Sequence, residues 1–157
     1  MKIALLQTGK TTEKFVNEGV ELYSARIRKY SGFEVITIPE MKNIRNMPPE
    51  EVKIREGKRV LRSIDKNDFV VLLDEKGKEL RTVEFARWIE KQSMLSGKRI
   101  LFIIGGPWGF SQEVREIAGF TLSLSRMTFP HQLVRILFLE QLYRTLTIIK
   151  GESYHHE

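Results

Sequence analysis

Residues 99–114 read RILFIIGGPWGFSQEV, and the order of residue types in that stretch decides the kind of fold. Arg99 to Ile104 is an apolar run of strand length, as expected for a strand buried on both faces. Ser111, with Gln112 and Glu113 after it, has the chemistry of a capped helix start, because its hydroxyl can accept from backbone N–H groups that lack a partner within the helix. Between the two stand Gly105, Gly106 and Gly109. Backbone without Cβ atoms can enter φ regions closed to other residues and can lie close to a bound molecule. The loop is therefore a ligand cradle or a shaped turn, and its place at a strand-to-helix edge, where ligands of α/β sheets collect, favours the cradle.

Outward from this stretch the same alternation repeats. Lys2 to Thr8 reads as a strand, and Thr12 begins a helix with Phe15, Gly19, Leu22, Arg26 and Tyr30 on one core-packed face, widened by Val16, Val20, Tyr23 and Ile27. Phe33 to Ile38 is a strand closed by Pro39, and residues 40–48 form an aperiodic loop. Pro48 and Pro49 start a helix whose acids, Glu50 and Glu51, precede its bases, Lys58, Arg59 and Arg62, which complements the helix dipole. Phe69 to Leu73 is a buried strand, and Thr82 caps the next helix. After the glycine loop come a short helix to about Ala118, a short strand near Thr121 to Ser125, and a last helix from Pro130 to about Lys150. The expectation is one α/β domain over residues 1–157, a mainly parallel sheet with helices on both faces. In the last helix Ile136 to Leu139 is apolar in every direction and needs a second burying surface, which a homodimer interface or complete burial within the protomer would supply.

Composition removes whole reaction classes. With no cysteine among 157 residues there is no disulfide, thiolate nucleophile, cysteine-held iron–sulfur cluster or Cys-type zinc site. No run of about 18 apolar residues and no charged, apolar leader at Met1 is present, so neither a membrane span nor a secretory signal is expected, and the cytoplasm is the expected location. The net charge of +6 gives a mild attraction to polyanions, and Arg26, Arg28, Lys29, Lys42, Arg45, Lys53, Arg55, Lys58, Arg59 and Arg62 crowd one stretch, as a solvated helix surface or a phosphate-binding face.

Residues 105–109 lack the Gly-Lys-Ser/Thr ending of a phosphate-binding loop and do not match Gly-x-Gly-x-x-Gly. A ligand combining an adenosine with an amino acid, such as S-adenosylmethionine, fits a glycine-lined pocket that needs no phosphate cradle. The series Leu73-Asp74, then Ile104-Gly105-Gly106 with Gly109, then residues 122–132 (LSLSRMTFPHQ), then Arg135, Glu140-Gln141, Tyr143-Arg144, and finally Gly151-Glu152 and Tyr154-His155 closely resembles the large-subunit ribosomal RNA pseudouridine N3-methyltransferases of the SPOUT superfamily. The resemblance runs the length of the chain; Trp108 stands at a variable position of the glycine loop, and His156 is an addition after Tyr154-His155.

The resemblance implies a C-terminal trefoil knot, a homodimer with the site at its interface, S-adenosylmethionine as cofactor, and ribosomal RNA, presented within an assembled ribosome, as substrate. It places cofactor contacts at Leu73, Gly105, Leu124, Ser125, Arg126, Met127, Thr128 and Phe129. On their own, Leu73 and Leu124 read as ordinary core residues. For the chemistry the candidates are His131, Arg135, Tyr154 and His155. A histidine, with an unperturbed pKa of roughly 6.5, can take a proton at neutral pH. His131 is equally readable as structural and His155 as an RNA contact. Arg135 could steady an imide anion, grip a phosphate or pair with a carboxylate, and Tyr154 could stack on a base or pack over the pocket. Glu140 and Arg144, four apart, read as an intrahelical pair. Adjacent His155 and His156 are poorly placed for one zinc ion, so no metal is expected. Against the methyltransferase stand a noncatalytic RNA-binding or ribosome-associated module with the same fold, and a different α/β enzyme using a nucleotide cofactor.

Overall fold

A run of strand-formers without polar interruption must be covered on both sides, and β4 (Arg99–Ile104) shows how this chain does it. Ile100, Phe102 and Ile104 point to one core, and Leu101 and Ile103 to another. The computed structural model describes all residues from Met1 to Glu157. In chain order the elements are β1 (Lys2–Thr8), α1 (Lys14–Ile27), β2 (Gly32–Ile38), α2 (Pro49–Arg62), β3 (Asp68–Glu79), α3 (Thr82–Ser96), β4, α4 (Gln112–Ile117), β5 (Phe120–Ser123) and α5 (Leu133–Ile149). The five strands are parallel, in the order β2-β1-β4-β3-β5. Helices α1, α3 and α5 cover one face, with Val16, Phe85 and Phe138 in its core; α2 and α4 cover the other through Val60 and Val114. No helix is long and apolar enough to cross a membrane.

Three local expectations change. On α1 the buried residues are Val16, Val20, Ser24 and Ile27, whereas Phe15 and Leu22 are 61% and 48% exposed. Both sets have helical spacing, and only the one in line with the sheet is covered by the protomer. Arg81, not Thr82, is the N-cap of α3: the Glu84 carboxylate accepts its backbone N–H at 2.7 Å, and Thr82 is already helical, its hydroxyl donating to Gln141. Strand β3 extends past Leu73 to Glu79 because a register shift between Leu73 and Lys78 lets it regain β5. Gly77 permits this: a Cβ there would stand 2.7 Å from the Thr121 carbonyl.

Helix α5 meets much of its all-round apolar demand inside the protomer. It packs beside α1 and α3, with Phe138 and Leu139 buried and Ile136 and Leu137 half-buried. Gly19 lets α1 come close, since a Cβ there would touch Ile136 at 3.0 Å. The start of α5 sits far across the sheet from β5. Gln132 donates to the Lys10 carbonyl and accepts from the Thr12 amide, so residues 124–132 leave the β5 edge and cross the carboxyl ends of β3 and β4 to reach β1.

Phe138, fully buried with its ring centroid 4.7 Å from that of Phe102, seats α5 on the sheet. Phe138→Ala is expected to lower unfolding free energy by about 3 to 5 kcal/mol, read by urea denaturation; a change below 1 kcal/mol would mean that α5 is held elsewhere.

Candidate functional site

A parallel sheet sends every strand-to-helix loop to one edge, and here three of those loops converge. Residues 73–76 of β3, 104–110 after β4 and 124–129 after β5 enclose a cleft of about 490 Å³ that His131 and Val134 close from the α5 side. Leu73, Ile104, Leu124, Met127, Phe129 and Val134 supply apolar surface, and backbone groups of the two loops supply polarity. The volume and the mixture suit a small organic ligand.

The glycines of the first loop serve the protein's own packing. A Cβ on Gly105 would stand 3.0 Å from the Phe110 ring, and one on Gly106 would stand 2.6 Å from the Glu56 carboxylate. Gly106 accepts from the Gly109 amide at 3.1 Å, and Gly109 takes φ +81°, closing a tight turn with Pro107 and Trp108 at its tip. The expected close approach of backbone to ligand is thus joined by a close approach of protein behind the loop. In the second loop the Ser125 hydroxyl accepts from the Met127 amide at 3.0 Å and Ser123 donates to the Ser125 carbonyl, which shapes the turn.

Charged groups frame the cleft. Asp74 accepts from the Lys76 amide and from Arg115, whose guanidinium also lies over the Phe110 ring. Burial opposes ionisation of Asp74, but these donors outweigh it and hold the carboxyl below its usual value. His131 lines the cleft, with Nε2 at 2.8 Å from Arg135 Nη2. The same Nε2 stands 3.1 Å from the Thr8 carbonyl, to which Arg135 Nη2 donates at 2.9 Å, so imidazole, guanidinium and carbonyl form one cluster. Arg135 itself is fully buried, donating to the Thr8 carbonyl and the Thr11 hydroxyl, and it pairs with no carboxylate at contact distance. Burial lowers its pKa, partly offset by the charge of Glu40.

The structure separates the predicted residues into groups. Leu73, Gly105, Leu124, Ser125, Met127, Thr128, Phe129 and His131 line one cleft. Arg126 points away, exposed and paired with Glu79. Tyr154 and His155 lie on the outer side of α5 near its far end: the Tyr154 ring packs edge-on against Tyr143, under the Arg144 guanidinium, and its hydroxyl reaches Glu140. His155 Nδ1 is 3.5 Å from Arg144, while Nε2 is buried without a partner. Tyr143 is ten residues beyond Leu133, about 15 Å along the helix, and neither Tyr154 nor His155 is among the residues that line the cleft. Burial, then a hydrogen bond with Tyr23, pushes the Tyr154 phenol up to about 12. The expected Glu140–Arg144 pair is present. Sequence reading missed Glu56, Lys76, Phe110 and Arg115, which no local motif distinguishes from neighbouring helix or loop residues.

Glu56 gives a pH test of the loop. Burial raises its carboxyl above the ordinary value of 4.5, against the opposing effect of the Gly106 amide. An acid with a raised folded pKa adds stability that is full below its unfolded pKa and is lost as pH rises through the folded one. Glu56→Gln keeps an acceptor and abolishes that loss, so its melting temperature is expected to gain on wild type as pH rises from 4.5 toward neutrality. Parallel melting curves of the two proteins would refute this.

Comparison with known proteins accords with this geometry. The family described as "Predicted SPOUT methyltransferase" matches residues 1–155. A Bacteroides fragilis protein named ribosomal RNA large subunit methyltransferase H is 46% identical over 157 residues, covering 100% of both chains. A protein of the same name from Christiangramia forsetii is 45% identical over 156 residues, covering 99% of each. Among solved structures, a tRNA methyltransferase of Aquifex aeolicus superposes with a TM-score of 0.55 at 16% identity, over 100% of this chain and 76% of that one. A probable methyltransferase of Bordetella pertussis gives 0.54 at 12% identity, over 92% and 96%. The fold, the two-loop cleft and full-length similarity agree, and the chain belongs to the SPOUT methyltransferase family.

Proposed function

We propose that this protein transfers a methyl group from S-adenosylmethionine to N3 of a pseudouridine in large-subunit ribosomal RNA, with the assembled ribosome in the cytoplasm as its target. The observation that carries this reading is the meeting of residues 104–110 and 124–129 around one cleft. The names of the relatives support ribosomal RNA as the substrate class, and the motif series from Leu73 to His155 supports the pseudouridine.

The residues present fit the cofactor. Apolar walls at Leu73, Ile104 and Leu124 suit an adenine, loop amides and carbonyls suit its edge and the ribose, and Asp74, Lys76 and Arg115 supply both signs of charge for an amino-acid end. When bound, the cofactor supplies an electrophilic methyl on a sulfonium. The chain's task is to hold the target nitrogen in line and receive its proton. Orientation can be worth about 7 to 11 kcal/mol, against roughly 10²- to 10⁴-fold for a base. Tyr154 keeps its phenolic proton at neutral pH and so serves as a hydrogen-bond donor or a stacking face rather than a base. His155 is the base in this reading, His131 borders the reacting centre, and Arg135 acts through His131. Thr128 lies in the cofactor loop, and Arg126, exposed and paired with Glu79, would exchange that partner for an RNA phosphate.

The same geometry supports a homodimer. Helices α1 and α5 run side by side in one direction: Thr12 meets Gln132 at the cleft end, and Tyr30 meets Glu152 at the tail end. Phe15 and Leu22 form an exposed stripe beside half-buried Leu133 and Ile136. Two copies packed antiparallel through that stripe would cover it and bring each tail to the other's cleft. The crossing of residues 124–132 over the ends of β3 and β4 supports the trefoil knot that the resemblance implies.

Nucleoside mapping by mass spectrometry is expected to show N3-methylpseudouridine in large-subunit RNA only when the protein is present; its absence in both cases would refute the reaction. Gly105→Val, by pressing on Phe110, is expected to abolish cofactor binding in calorimetry, and His155→Ala to slow turnover about 10²- to 10⁴-fold with binding kept. Mixing these two inactive variants should restore activity through heterodimers that pair one intact cleft with one intact tail. No restoration would place the tail and cleft in the same protomer.

A further inference from the structure

The chain has two tryptophans, and the fold treats them oppositely. Trp88 is enclosed by aromatic rings, stacked on Phe120 at 4.8 Å and flanked by Phe69 and Phe85. Trp108 lines the mouth of the cleft with 54% of its surface exposed and stacks on no other ring of the protomer. Its mounting is rigid. Pro107 fixes one backbone angle before it, Gly109 takes the left-handed turn after it, and the Gly109 amide closes the turn on the Gly106 carbonyl. An indole held in water at a turn tip is a preorganised flat surface, and its ordering entropy is already spent before any ligand arrives.

The surroundings say what kind of molecule it meets. Strand β4 lies next to β1, and β1 next to β2, so the loop carrying Trp108 shares its sheet edge with Lys10 after β1 and with Lys42 and Arg45 after β2. These three cations are exposed and take part in none of the chain's ion pairs; Lys76, also free, lines the cleft itself. A ligand that satisfies both features carries repeated negative charge and flat π faces. Single-stranded nucleic acid does this, through phosphates on a basic track and bases on aromatic platforms.

We propose that the Trp108 indole is the stacking platform for a nucleotide adjacent to the target pseudouridine, with Lys10, Lys42 and Arg45 receiving the phosphates of that strand. The inference rests on the ribosomal RNA reading above and deepens it by assigning the path of the substrate: the flanking strand runs from the cleft mouth over the turn at residues 106–109 toward the loop at 40–48. The apolar inner walls at Leu73 and Leu124 remain for the cofactor, so Trp108 separates the two ligands.

The test uses the full-length protein and ribosomes purified from cells lacking it. Trp108→Ala is expected to raise KM for ribosomes on the order of 10- to 100-fold, the range for losing one base–aromatic stack. S-adenosylmethionine affinity should stay within about twofold, and Trp108→Phe should recover most of the loss. Lys42→Gln combined with Arg45→Gln is expected to weaken ribosome binding and to reduce the slope of log affinity against log salt by about 1 to 2. A Trp108→Ala protein with weakened cofactor binding and unchanged KM for ribosomes would overturn the proposal in favour of a cofactor wall. Loss of the dimer on sedimentation would overturn it in favour of a subunit contact, and unchanged kinetics throughout would overturn it outright. Failure of the wild-type protein to methylate ribosomal RNA is a separate result, which removes the activity itself.

Discussion

A guanidinium with no exposure to water joins the start of α5 to the end of β1, and the functional cleft depends on that tie. Arg135 donates to the Thr8 carbonyl and the Thr11 hydroxyl and holds His131 in the same grip. Removing a charge from water is costly unless its donors are used; here Nη1 and Nη2 anchor a segment that has crossed the sheet, while Nε is buried without a partner. Residues 124–132 can span the ends of β3 and β4 only if their far end is fixed at β1. That span forms one wall of the cleft and His131 a second. In the proposed reaction Arg135, fully buried, would act through position rather than by touching substrate.

The opposite wall depends on absence of side-chain bulk. The ring of Phe110 stands 3.0 Å from where a Cβ would lie at Gly105, and Glu56 of α2 stands 2.6 Å from one at Gly106, so the first loop is packed against its own Phe110 and against α2. Tight backing on one side keeps the loop in one shape on the other, which is what orientation-dominated catalysis requires. The aromatic at the tip of its turn gains its rigidity from the same packing.

The parallel course of α1 and α5 links the two halves of the candidate chemistry. Cleft and tail sit at opposite ends of this helix pair, and the stripe between them is apolar and uncovered. In the proposed dimer, a two-fold axis across that stripe would remove the exposed Phe15 and Leu22 from water and complete the site in one step. Of the two apolar faces of α1, the one with Val16, Val20 and Ile27 belongs to the protomer's core, and the one with Phe15 and Leu22 is what the proposed dimer would cover.

Strand-length apolar runs alternating with capped helices already specified the parallel sheet and its two covered faces, because those periodicities are set by local backbone geometry. The glycine loop at the end of β4 and residues 122–132 marked the site for the same reason: their residue types are too unusual for a simple connection. Local pattern could not say which of two helical stripes on α1 meets the sheet, that β3 would resume pairing after a shift, or that Arg135 would be sealed inside. Nor could it place Tyr154 and His155 against Tyr143, Arg144 and Glu140 rather than among the residues that line the cleft. Those outcomes depend on which surfaces come together across the chain, and a contact between residues more than a hundred positions apart leaves no trace in the spacing of either one.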